Sequence, residues 1–427
     1  MTRISRVLIV AADFAPSATV GAKRPTGVAI ELARQGVAPV VATLHRRCII
    51  SYDDSRELGN DQKITVLPLR CNSIWHHSQA WRSAPPGWRR LFAVISRTVA
   101  RATYPAIPID PMYPWATFGV RQVVRHLSSN PVDIIWATMP TFSSMVLARR
   151  VSKQTGIPFV LDYRDIPDED DNSPRSKQLR RIQSQALQEC AGLTYVAPDQ
   201  MDDLVHRYPF LQTKPNRLVY NFFGDPFVSA CGTATSLPCR TIVYGGSLYG
   251  GERKADVFVR ALARVQSDRR PVFFFWGSRP EQTAIRDLFC SAQIESSLST
   301  ADTLPHAEFI QNCHAAAIQL MLVGRGRRHT GTIPGKLYDY LATNKPILVV
   351  GPENCRAGQL VESLNRGIAA ADDCPEHVKE SIEMLLEGRN KRGKPLDLRP
   401  EVIQDFSQSS TVSRLLEFLQ VVVNQNK

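Results

Sequence analysis

The chain has no run of about eighteen apolar residues, so no segment is expected to cross a membrane as a helix. Its first apolar stretch, in RISRVLIVAADF, ends at Asp13 without a small-residue cleavage pattern and reads as a buried strand, not a leader. The nine cysteines include no C-x-x-C pair, which leaves neither a disulfide framework nor a zinc knuckle. A reducing cytoplasmic setting is the matching expectation. There is no G-x-G-x-x-G, no self-similarity at the scale of a repeat protein, and no RNP, helix-turn-helix or zinc-finger pattern. Acidic residues are missing altogether from Gln62 to Ile109, while Lys63, Arg70, Arg82, Arg89, Arg90, Arg97 and Arg101 fall in that span.

What is present suits a two-domain globular protein: 427 residues, 43% hydrophobic and 22% charged. The net charge of +12 sits mostly in the first half. In the acid-free span Trp75, Trp81, Trp88 and Phe92 interleave with the arginines, and Leu91, Val94, Ile95 and Val99 follow at helical spacing. Such a segment, about residues 73–105, fits an amphipathic element lying on anionic lipid. It equally fits core aromatics beneath a solvated basic face. Nucleic acid is not expected as a partner.

Short apolar runs alternate with helical patterns in both halves, the signature of βα units and parallel sheets. Strands are expected at 6–12, 38–43, 64–68, 133–137, 158–162, 192–196 and 217–221, and again at 240–245, 272–276, 315–322 and 346–350. A Gly, Pro, Ser and Thr segment around 221–238 marks a linker between two Rossmann-like domains.

The stretch GTIPGKLYDYLATNKPILVV, Gly331 to Val350, is the most informative part of the chain. Pro334 suits a helix start, Leu337, Tyr340 and Leu341 recur at helical spacing, and Lys345-Pro346 forbids continuation. Ile347 to Val350 then reads as a buried parallel strand. Lys336 and Asp339 share a helix face near its positive N-terminus, where diphosphate oxygens and a ribose diol can both be held.

Other loops carry candidate chemistry. Gly21, Lys23 and Arg24 follow the first strand at a helix start, where free N–H groups can meet a phosphate. Asp162, Arg164 and Asp165 stand at the end of the fifth expected strand, an edge where α/β proteins bind ligands; an Arg–Asp pair there would orient an acceptor or simply hold the loop. Thr138, at the end of another strand, is a candidate partner for a sugar hydroxyl. Arg253 and Lys254 precede a helix, and fixed cations there would stabilise a departing diphosphate. The acids Asp168 to Asp171 cannot all face one ion and read as a solvated loop, so no metal is expected.

The pattern of Pro334, Gly335, Lys336, Leu337, Tyr338, Asp339, Tyr340, Leu341, Ala342 and Lys345 to Leu348 closely resembles the donor-binding helix of GT-B glycosyltransferases, especially bacterial family 4 enzymes that build surface polysaccharides. The resemblance implies a GT-B fold: residues 1–222 form an acceptor-side domain, 223–400 a sugar-nucleotide domain, and 401–427 a helix crossing back, with Phe406, Val412, Leu415, Leu416 and Leu419 on its apolar side. It places Asp339 on the donor ribose, and Lys254, Lys336 and then Arg253 on the diphosphate. Gly246 and Gly277 fall at turns near the nucleotide, and His306 near the base. Gly21 and Arg24 would face donor and acceptor. Many relatives carry a second acid at the position of Gly331, and several a histidine near Thr138.

The activity so implied is transfer of a sugar from a nucleoside diphosphate to a hydroxyl of a lipid-linked saccharide or polysaccharide precursor, with retention, by a protein peripheral on the inner face of the plasma membrane. No cofactor is implied. The alternatives are a GT-B sugar-nucleotide epimerase and a non-catalytic GT-B subunit that binds membrane or partner.

Overall fold

A computed structural model describes residues 3–53, 56–58, 63–71, 98–99, 109–165, 173–224, 237–248 and 251–426. The basic aromatic segment of 73–105 (its residues 98–99 apart), the acids Asp168 to Asp171 and most of the expected linker lie outside them. The chain forms two compact units, one of residues 1–220 with 408–427, the other of residues 221–407.

In the first unit seven parallel strands lie in the order β3-β2-β1-β4-β5-β6-β7. They are β1 (Arg6–Val10), β2 (Ala38–Leu44), β3 (Thr65–Leu69), β4 (Ile134–Thr138), β5 (Phe159–Tyr163), β6 (Gly192–Tyr195) and β7 (Asn216–Leu218). The central β1, β4 and β5 are apolar along almost their whole length because helices cover both faces of a parallel sheet. Leu8 pairs with Val40 on one side and Ile135 on the other. The helices are α1 (Val20–Arg34), α2 (Tyr113–Phe118), α3 (Val120–Ser129), α4 (Ser143–Thr155), α5 (Pro174–Glu189) and α6 (Pro198–Arg207).

The second unit holds six parallel strands in the order β10-β9-β8-β11-β12-β13. These are β8 (Thr241–Gly245), β9 (Val272–Trp276), β10 (Leu298–Ala301), β11 (Ile318–Leu322), β12 (Ile347–Gly351) and β13 (Gly367–Ala371). Between them run α7 (Asp256–Arg264), α8 (Arg279–Ser291), α9 (His306–Ala315), α10 (Arg327–Thr330), α11 (Gly335–Ala342), α12 (Arg356–Ser363) and α13 (Pro375–Leu386). The last helix, α14 (Gln408–Gln425), belongs to the first unit. It packs on α1, where Gln408 donates to the Gly27 carbonyl (3.0 Å) and Gln35 to Ser413 Oγ (3.1 Å).

Four features depart from the sequence reading. The strand expected from Ala315 starts only at Ile318, because α9 continues through Ala315. β10 and β13 were not expected: LSTA is too short and polar for an apolar run, and GIAAA carries alanines that favour helix. Pro334 is the extended residue before α11, and the helix begins at Gly335. Phe406 is not on the returning helix. It ends a 3-10 turn (Pro400–Phe406) in the second unit, with its ring 6.0 Å from that of Tyr338.

Candidate functional site

Both sheets reverse their strand order once, between β1 and β4 in the first and between β8 and β11 in the second. Loops at the carboxyl ends of the strands flanking such a reversal diverge and leave room for a ligand. In the second unit that position holds the end of β8, Tyr244-Gly245-Gly246, and the helix α11 approaches it.

α11 is short because its signals are close together. Asn344 takes a left-handed conformation (φ 57°) just after the C-cap Thr343, and Lys345-Pro346 ends any continuation. Leu337, Tyr338, Tyr340 and Leu341 are buried, which turns Lys336 toward β8. The Lys336 ammonium donates to the Gly245 carbonyl at 2.6 Å and lies 4.4 Å from the centre of the Tyr244 ring. Gly246 makes room for it: its φ is +113°, and a Cβ there would stand 2.8 Å from Lys336 Nζ. Gly245 is equally confined, since a Cβ would enter the ring of Phe309. Burial, joined by the repulsion of Arg253, pushes the Lys336 ammonium down to about 7.

Arg253 reaches the same place from the β8–α7 loop. It donates to the Tyr244 hydroxyl (3.3 Å) and to the Ser247 carbonyl (3.1 Å). The loop itself is tied by Glu281, which accepts from Ser247 Oγ (2.7 Å), the Leu248 N–H (2.6 Å) and Ser278 Oγ (2.7 Å). Burial would raise the Glu281 carboxyl, but these hydrogen bonds outweigh it and leave it lowered. Lys254 is exposed, and the cation that the structure brings beside Lys336 is Arg253. Nothing in the sequence singled out Glu281 or Tyr244; the first has only its capping-box position three residues after Ser278 as a signal.

On the same helix, Asp339 Oδ2 lies 3.0 Å from Nε2 of His306, the first residue of α9. Structure thus couples two residues that the sequence had placed on different parts of a nucleotide. Gly335 is exposed with open space around it, and Gly277 is held against the Phe275 ring, 2.5 Å from where a Cβ would be.

The first unit uses its candidates differently. Asp162 is fully buried and accepts from Arg24 Nε (3.0 Å) and Nη2 (2.8 Å), Thr138 Oγ1 (2.7 Å) and Thr194 Oγ1 (2.7 Å). Arg24, 3% exposed, also donates to the carbonyls of Tyr220 (2.8 Å) and Val219 (3.0 Å). Thr138 and Arg24 therefore stand buried inside the fold, and Arg24 rather than Arg164 forms the Arg–Asp pair. Arg164 instead donates to the carbonyls of Met139 and Gly21, the latter at 2.8 Å, and so joins the ends of β4 and α1. Gly21 lies against Asp13, whose Oδ2 would be 3.0 Å from a Cβ. Asp165 is exposed. Among the described residues no group of His, Cys, Asp and Glu is arranged to hold a metal, and no helix is long and apolar enough to cross a membrane.

Two Rossmann-like units with parallel sheets of seven and six strands define the GT-B class. Residues 75–221 match the model of the glycosyl transferase 4-like domain. The chain therefore has the GT-B fold, and over residues 75–221 it is similar to a glycosyl transferase 4-like domain. It is similar over 99% of its length, and of the other's, to a glycosyltransferase from Rickettsia africae, with 14% identity and a TM-score of 0.64. HepE of Anabaena, solved in complex with UDP, shares 12% identity, with 97% of this chain and all of the other covered and a TM-score of 0.62. The lipopolysaccharide outer core galactosyltransferase WaaB shares 12% identity, covering 97% of this chain and 99% of the other, with a TM-score of 0.60. No curated protein matches by sequence.

Proposed function

We propose that the chain is a family 4-like glycosyltransferase that takes a sugar from a nucleoside diphosphate and passes it, with retention, to a hydroxyl of a lipid-linked saccharide or polysaccharide precursor at an anionic membrane surface. The observation that carries the donor part is the convergence of Lys336 and Arg253 at the end of β8, with Asp339 three residues further along the same helix. Two fixed cations match a diphosphate whose negative charge grows as the sugar departs. A carboxylate on the same helix face matches a ribose diol. The UDP bound by HepE accords with that donor class, and the role of WaaB with a lipid-linked acceptor. The membrane part rests on the arginines and tryptophans of 73–105.

The test is thermal shift of the purified protein against UDP-, GDP-, dTDP- and CMP-sugars, repeated on Lys336→Ala. Stabilisation by one nucleotide class that disappears in the variant is the expected outcome. If no member of the panel shifts the melting temperature of the wild type, the donor reading falls and the non-catalytic alternative takes its place.

A further inference from the structure

Tyr244 touches both cations of the cluster, and through different parts of its side chain. It is fully buried on β8, with its ring stacked on Phe275 (centroids 5.7 Å apart, planes 3° from parallel). The ring carries Lys336 Nζ at 4.4 Å from its centre, within cation–π distance. Its hydroxyl donates to the Ser247 carbonyl at 2.9 Å and accepts from Arg253 at 3.3 Å. A phenylalanine would fill the same apolar space against Phe275. The hydroxyl adds a fixed point to which both the loop after β8 and the guanidinium are tied.

We propose that Tyr244 is the positioning residue of the donor site: its ring seats the Lys336 ammonium and its hydroxyl seats the Arg253 guanidinium, so that one buried side chain sets the spacing of the two cations that meet the diphosphate. The proposal rests on the donor reading above and adds a residue to it. The physical need is preorganisation. Lysine and arginine each lose considerable rotamer freedom when fixed, and an anion that finds both already placed avoids that cost on binding. Gly246 belongs to the same device, because any side chain there would displace Lys336 from the ring.

The experiment is calorimetric titration of the full chain with UDP and with GDP, arranged as two double-mutant cycles. Tyr244→Phe keeps the ring and removes the hydroxyl. It is expected to weaken nucleotide binding about fivefold in the wild-type background and clearly less in Arg253→Gln, where the hydrogen bond from the guanidinium is already gone and only the one to the Ser247 carbonyl is left to lose. Tyr244→Leu removes the ring as well as the hydroxyl and is expected to weaken binding about tenfold, an effect that shrinks to the roughly fivefold of the hydroxyl alone in Lys336→Met. Melting temperature and circular dichroism accompany each variant; should Tyr244→Leu fail to fold, the Phe cycle decides alone. Tyr244→Phe binding as wild type, or losing equal affinity with and without Arg253, overturns the proposal and leaves the donor reading standing. Failure of the wild type to bind UDP, GDP and every other member of the sugar-nucleotide panel overturns both.

Discussion

Lys336 sits where two demands on a lysine conflict. Close to β8 it loses water and meets the charge of Arg253, both of which favour the neutral amine, while Glu281 and Asp339 pull the other way and leave it near neutrality. A diphosphate arriving there supplies the missing counter-charge, so binding and protonation of this side chain are linked. The sign follows from the free protein. Below pH about 7 the ammonium is already charged; above it, binding must recruit a proton. Affinity for a UDP- or GDP-sugar, whose diphosphate does not titrate in this range, is therefore expected to fall about tenfold between pH 6 and pH 8. Lys336→Arg should flatten the profile, because a guanidinium stays charged. A flat wild-type profile would remove Lys336 from contact with the phosphates.

Several elements of the first unit meet at one buried ion pair. Arg24 on α1 and Asp162 on β5 bind each other through two hydrogen bonds, and the remaining capacity of both is taken by Thr138 on β4, Thr194 on β6 and the carbonyls after β7. The pair thus fastens a helix across several neighbouring strands. Arg24→Met would leave a buried carboxylate without its cation and is expected to destabilise the protein by about 3–5 kcal/mol. Adding Asp162→Asn should recover part of that loss, as read from urea unfolding of the single and double variants; a single variant as stable as wild type would show that the pair contributes little. The sequence exposed Arg24, Thr138 and Asp162 as polar residues near strand ends. It could not separate a ligand site from a polar core, because both ask for the same residue types at the same edge. The same limit applies to β10 and β13, which pairing with β9 and β12 makes strands despite weak local preference.

At the scale of the whole molecule, the chain leaves the first unit near Tyr220 and returns to it at Gln408, and the two crossing segments meet where the Phe223 N–H donates to the Phe406 carbonyl (3.1 Å). Most of the positive charge excess lies in the first half, together with the acid-free arginine and tryptophan segment. If that segment binds anionic lipid, replacing Trp88, Arg89 and Arg90 with alanine should abolish sedimentation with phosphatidylserine vesicles. Nucleotide binding should remain, since Lys336, Arg253 and Asp339, the residues proposed for it, lie in the second unit. Retained sedimentation would return the segment to the role of a protein core.

The sequence by itself determined the alternation of apolar runs and helices, hence two parallel sheets, and the loop–helix–strand of α11 and β12 with Lys336 and Asp339 on one face. These follow from local rules: periodicity, the ring of proline, and the left-handed tolerance of asparagine. Only the tertiary structure decided which cations converge, that Arg253 and not Lys254 joins Lys336, that Tyr244 lies between them, that His306 meets Asp339, and that Arg24 and Thr138 face Asp162. Each of these depends on contacts between residues far apart in the chain, and which strand lies beside which is fixed by packing the whole sheet rather than by any short stretch of sequence.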